Sequence, residues 1–132
     1  MKNFFDTNII AYTYDVAEPE KYKIASELLP QGHAVTSTQV LGELSNVRSG
    51  KFRFSWESIR DVIRQITSKV TIHVVSVSTI WKAITRSARY KYSYYDSLIL
   101  AAAIEANCSI LYSEDFQHNQ VIEGVRIINP FL

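Results

Sequence analysis

The sequence predicts an α/β fold: a short, mainly parallel sheet with helices on both faces. Three observations carry this. Helix-length stretches alternate with short apolar or β-branched runs along the 132 residues. The strand candidates are continuous rather than alternating in polarity, as strands buried on both faces require. The four glycines and three prolines fall mostly between the periodic segments, as punctuation. The length suits one domain, residues 1–132, and is too short for two ordinary ones.

Each element has its own signal. Lys2 to Phe5 is a strand candidate, followed by Asp6-Thr7-Asn8 and a short apolar helix from Ile9 to about Tyr14. Pro19 opens a second helix to Leu29, at a position that tolerates proline, and Pro30-Gln31-Gly32 ends it. Ala34 to Thr36 reads as a buried strand. Ser37 or Thr38 then caps a helix reaching about Arg48, with Gly50 past its end. Ser55 caps the next helix, Trp56 to Ser68, whose Trp56, Ile59, Ile63 and Ile66 form an apolar stripe expected in the core. Thr71 to Val75 is β-branched and strand-like. Ser78 to Arg89 reads as helix, and Tyr94 to Asn107 as the most apolar helix of the chain. Ser109 to Tyr112 and Val125 to Ile128 are the last two strands expected.

Composition narrows the function classes. Hydrophobic residues at 47% and charged residues at 20% exclude a disordered chain. The single cysteine, Cys108, allows neither an intrachain disulfide nor a cysteine-based zinc site. The longest purely apolar run, Leu98 to Ile104, falls far short of the ~20 residues of a membrane helix. Asp6 interrupts the N-terminus before a signal-peptide core can form. A cytoplasmic protein with no membrane partner is expected.

Four acids occupy telling positions. Asp6 directly follows the first strand, where it can cap a helix or face a cleft. Glu43 lies on the apolar stripe of Val40, Leu44 and Val47, so its carboxylate needs a cation, a hydrogen-bond network or a raised pKa. A buried ion pair would also satisfy it. Asp96 shares a face with Ile99, Leu100 and Ala103 in the first turn of the most apolar helix, where capping alone would favour an acid. Asp115 follows a buried strand after Ser113 and Glu114; it is a turn acid or a site acid, and Glu114 competes for the inward place. Gathered together, such acids repel each other unless something positive joins them. Hard divalent cations such as Mg²⁺ or Mn²⁺ suit an all-oxygen set, and two of them can promote phosphodiester cleavage. The net charge of +1 then conceals a basic body: without these four acids, fourteen Lys and Arg face nine Asp and Glu, or +5. That balance suits a polyanionic substrate.

Asp6-Thr7-Asn8 after a short strand, Glu43 on an early helix, Asp96 opening an Ala-rich helix, and Ser113-Glu114-Asp115-Phe116 after a late strand resemble the PIN-domain ribonucleases. The likeness is strongest to VapC-type toxins of toxin–antitoxin pairs. It spans essentially the whole chain and includes the closing Val125-Arg126-Ile127-Ile128-Asn129-Pro130. The resemblance implies a three-layer α/β/α sandwich and a Mg²⁺- or Mn²⁺-dependent endoribonuclease using one or two ions. Asp6, Glu43 and Asp96 match the three core acids, and Asp115 the fourth. Ser113 matches a hydroxyl that steadies the site, and Asn8 a position close to the metals. Water activated at the metal would attack phosphorus, with no protein nucleophile. A cognate antitoxin that covers or enters the site, an RNA substrate and a homodimer are the partners implied.

Lys82, Arg86 and Arg89 share one helix face, followed by Lys91 among Tyr90, Tyr92, Tyr94 and Tyr95. Arg86 and Arg89 are candidate phosphate contacts; the tyrosines either stack on bases or pack at the start of the next helix. Arg48, Lys51 and Arg53 make a second basic segment. His33, His73 and His118 have no shared role. The competing functions are a housekeeping RNA-processing nuclease, a catalytically silent binding module, and a receiver-type domain with a phosphorylated aspartate. The last lacks an acidic neighbour and an obvious lysine for Asp6.

Overall fold

The computed structural model describes residues 1–50 and 54–132, and its side chains outside 47–53. In chain order the elements are β1 (Lys2–Phe5), α1 (Thr7–Tyr12), α2 (Pro19–Leu28), β2 (His33–Ser37), α3 (Thr38–Gly50), α4 (Trp56–Lys69) and β3 (Thr71–His73). There follow α5 (Val77–Tyr90), α6 (Tyr94–Glu105), β4 (Ile110–Tyr112), β5 (Val121–Ile122) and β6 (Val125–Ile128). The sheet order is β3-β2-β1-β4-β6-β5. All pairs are parallel except β5 with β6.

Successive strand residues point to opposite faces. In β1 both Phe4 and Phe5 are fully buried, so the sheet is covered on both sides. The covering helices pack as two groups, α1 to α4 in one and α5 with α6 in the other. Ile9, Ile10, Val40 and Leu44 join Phe4 and Phe5 in the main core, with Leu100, Leu111 and Ile127. Each such side chain contributes roughly 1.5–3 kcal/mol by leaving water. This agrees with the fold class expected.

Several boundaries shift for local reasons. The first helix starts at Thr7 rather than Ile9, because the Asp6 carboxylate accepts the Thr7 N–H at 2.7 Å and caps it. The third strand stops at His73 instead of reaching Val75: the Val75 N–H turns to the Thr38 hydroxyl, and Ser76 caps α5 through a reciprocal pair with Thr79. The helix α6 ends at Glu105, two residues early, and Asn107 takes a left-handed conformation. Ile59 and Ile66 are buried as the stripe required, but Trp56 is 68% exposed. Val47, Arg48, Lys51 and Arg53 lie outside the described side chains.

One strand was not expected. β5 forms a hairpin with β6 through Glu123-Gly124, both at positive φ (49° and 86°), the geometry that fits a tight two-residue hairpin. Gly124 was the signal available. Neither outer strand is long: β5 has two residues and β3 three. Among the described residues no helix is long and apolar enough to cross a membrane.

Candidate metal centre at the switch point

β1 lies between β2 and β4, so the chain leaves it in opposite directions across the sheet. Crevices at the carboxyl ends of strands at such a reversal are where α/β folds place ligands. The parallel register sets Phe5 beside Tyr112, which brings the next residues, Asp6 and Ser113, side by side.

Their contact is direct. Ser113 Oγ donates to Asp6 Oδ2 at 2.7 Å and accepts the Asp115 N–H at 3.1 Å. Ser113 is fully buried and Asp6 is only 4% exposed. Burial pushes the Asp6 carboxyl up; the bonds from Ser113 and Thr7 oppose this, and the charges of Asp115 and Glu43 add to it. The result is a pKa of about 7. Asp6 therefore caps a helix and also stands in a cluster of like charges.

Glu43 enters from the second turn of α3. Thr7 Oγ1 donates to its Oε2 at 3.2 Å, and Gln39 Nε2 to its Oε1 at 2.7 Å. The same Gln39 nitrogen reaches the Tyr95 carbonyl at 3.1 Å. Gln39 thus ties α3 to the first turn of α6, which carries Asp96. It was not singled out in the sequence, although it lies one turn before Glu43, where a side chain can reach the same face. Ser93 caps α6 by accepting the Asp96 N–H at 3.2 Å. Burial raises the Asp115 carboxyl above its ordinary range, and the charges of Asp96, Glu114 and Glu43 raise it further. Asp115 thus feels Asp96 and Glu43, and Asp6 feels Asp115 and Glu43.

Glu114 and Asp115 find different partners, both far away in sequence. Glu114 accepts from the Tyr12 hydroxyl at 2.6 Å and pairs with Lys21 at 3.2 Å. Asp115 instead remains exposed and accepts from Asn8 Nδ2 at 3.5 Å.

The arginines stand differently. Arg86 donates from two nitrogens to Glu123, each at 2.9 Å, and Tyr90 donates to the same carboxylate at 3.2 Å. Arg89 is exposed beside the Tyr90 ring. Both line a shallow cavity of about 240 Å³ with Trp81, Lys82, Thr85 and Glu123. His73 bonds Glu105 at 2.9 Å, His118 accepts the Asn129 N–H, and His33 is exposed.

Among the described residues no three His, Cys, Asp or Glu side chains converge as a finished metal cage. The donor set is nonetheless all oxygen, with Glu43 bonded by Thr7 and Gln39, Asp6 by Ser113 and Asp115 by Asn8. That chemistry fits a hard divalent cation.

A family profile described as PIN domain matches residues 4–123. The chain belongs to the PIN-domain family. The comparison with curated proteins finds no match. Among solved structures, this PIN domain is similar to a toxin–antitoxin complex from Klebsiella pneumoniae: TM-score 0.70, 22% identity, 97% of each chain covered. It is similar to VapC20 of Mycobacterium tuberculosis, described as a sarcin-ricin loop cleaving toxin, with TM-score 0.67 and 18% identity. That match covers 86% of this chain and 89% of the other. VapBC2 of Rickettsia felis, bound to a fragment of promoter DNA, gives TM-score 0.67 and 20% identity over 96% of this chain and 97% of the other. At these identities the likeness establishes the fold.

Proposed function

We propose that this PIN domain is a metal-dependent endoribonuclease and the toxin of a toxin–antitoxin pair. The observation that carries the reading is the like-charge coupling at the switch-point crevice: Asp115 and Glu43 raise the Asp6 carboxyl, Asp96 and Glu43 raise that of Asp115, and buried Ser113 bonds both Asp6 and the Asp115 N–H. Family membership supports it, as does the similarity to proteins described as toxins or toxin–antitoxin complexes. These acids would hold Mg²⁺ or Mn²⁺, one or two ions. When bound, such a cation supplies Lewis-acid stabilisation of the phosphate and makes water more acidic.

The chain's own groups do the rest. Ser113 fixes the Asp6 rotamer through Oδ2, while the Thr7 N–H holds Oδ1. Thr7 and Gln39 orient both oxygens of Glu43. Asn8 directs Asp115. Burial holds the Asp6 carboxyl well above the usual carboxylate range, so Asp6 would give up a proton on holding a cation. A cognate antitoxin and a homodimer belong to the same reading. The exposed Val77, Trp81 and Ile84 along α5 support association, since they leave a large apolar area uncovered in one copy.

The direct test incubates protein freed of any bound inhibitor with pooled cellular RNA, with Mg²⁺, with Mn²⁺ and with chelator. Discrete cuts that vanish with chelator and in Asp96→Asn are expected. No cleavage by folded wild-type protein with either metal would sink the reading.

A second comparison separates the two neighbouring acids. Asp115→Asn is expected to lower cleavage by about tenfold or more, as loss of a group near a metal does. Glu114→Gln, whose partners are Tyr12 and Lys21 rather than the other acids, is expected to stay within about threefold. Equal losses in both would place Glu114 in the site as well.

A further inference from the structure

Tyr95 directly precedes Asp96 in the first turn of α6. Its backbone belongs to the acid cluster: the carbonyl accepts from the Gln39 nitrogen that also holds Glu43. Its side chain does not share that burial and is 66% exposed. The ring is held at one contact. It meets the Tyr94 ring edge-on, at 5.1 Å and 68°, and Tyr94 is itself packed against Ala83, Leu98 and Ala101. The result is an aromatic surface facing water, one residue from a site acid.

Three of the cations nearby are already engaged, while Arg89 on α5 and Lys91 after it are exposed and suited to phosphate. On α5, Lys82 is paired with Glu105 and Arg86 with Glu123, and Lys21 beside the crevice is paired with Glu114. A single-stranded nucleic acid offers two handles, phosphates and unpaired bases, and aromatic faces take the second. We propose that Tyr95 is a stacking platform for an unpaired RNA base adjoining the phosphate held at the acid cluster. This rests on the nuclease reading above and adds the residue that receives the base next to the cut.

The test uses an oligoribonucleotide spanning a cut mapped in the pooled-RNA digest, with steady-state kinetics for wild type, Tyr95→Phe and Tyr95→Leu. Loss of a stacked base is expected to raise KM about tenfold in Tyr95→Leu with kcat little changed, while Tyr95→Phe stays within about twofold. Annealing the oligonucleotide to its complement is expected to suppress cleavage by wild type. Equal KM values for Tyr95→Leu and Tyr95→Phe, with matching thermal stability, would overturn the proposal while leaving the nuclease intact. Undiminished cleavage of the duplex would overturn it too. No cleavage by wild type at all would remove the nuclease reading, and the proposal with it.

Discussion

Asp6→Asn is expected to abolish RNA cleavage and, in chelator, to make the protein more stable. The two effects have one cause. The Asp6 carboxyl is buried beside Asp115 and Glu43, which raises its pKa from 3.8 to about 7. Below pH 3.8 the group is neutral in both folded and unfolded chains and costs nothing. Between 3.8 and about 7 the unfolded chain ionises first, so native stability falls as pH rises. Above about 7 the full cost remains, on the order of 2–4 kcal/mol in the metal-free protein. Asparagine keeps the shape without the charge. Urea midpoints in chelator should therefore show the variant ahead at pH 8, with its lead shrinking towards pH 4. Cleavage with Mg²⁺ should fall by more than about a hundredfold, beyond what loss of a supporting group does. A variant less stable than wild type at pH 8 would mean that the bonds from Thr7 and Ser113 outweigh the burial cost.

Glu105→Gln is expected to act in the opposite direction, destabilising the fold at neutral pH. Glu105 ends α6 and is 14% exposed. It accepts from Thr79 at 2.6 Å, Lys82 at 2.9 Å and His73 at 2.9 Å, joining α6 to α5 and β3. Burial would raise its pKa, but the bonds from Thr79, Lys82 and His73 and the Lys82 charge hold it down at about 2. A depressed carboxyl stabilises fully above its unfolded value near 4.5 and loses that contribution as pH falls towards 2. Discounted for the water it still meets, the contribution is on the order of 2 kcal/mol. Urea midpoints of wild type and variant should differ clearly at pH 7 and approach each other at pH 3. A gap undiminished at pH 3 would mean that the ionised carboxylate is not its source.

What could be read in advance was local. The adjacent apolar pairs Phe4-Phe5 in β1 and Ile110-Leu111 in β4 betrayed a sheet buried on both faces, and Asp6 and Asp115 were visible as acids placed just beyond them. Glu43 and Asp96 stood out because each interrupts an apolar helix face. The partners of the competing Glu114 were not legible, because they come from elsewhere in the chain. Glu114 is drawn off by Tyr12 and Lys21, about a hundred residues away, and no alternation in β4 records that. Arg86 looked free on its helix, while its partner Glu123 sits in a hairpin whose first strand has two residues, too short to carry a period. Tyr94 and Tyr95 are adjacent and chemically identical. Only the packing of α6 on α5 half-buries one and leaves the other in water.

The brevity of β3 and β5 at the margins of the sheet limits how copies of this protein can aggregate. A foreign strand laid along either margin would gain backbone hydrogen bonds over three residues at one side and two at the other. Six or seven residues are the usual span of a cross-β segment. Neither margin offers a seed for ladder growth, so a crowded solution of native molecules is guarded against fibril formation by geometry, without relying on mutual charge repulsion.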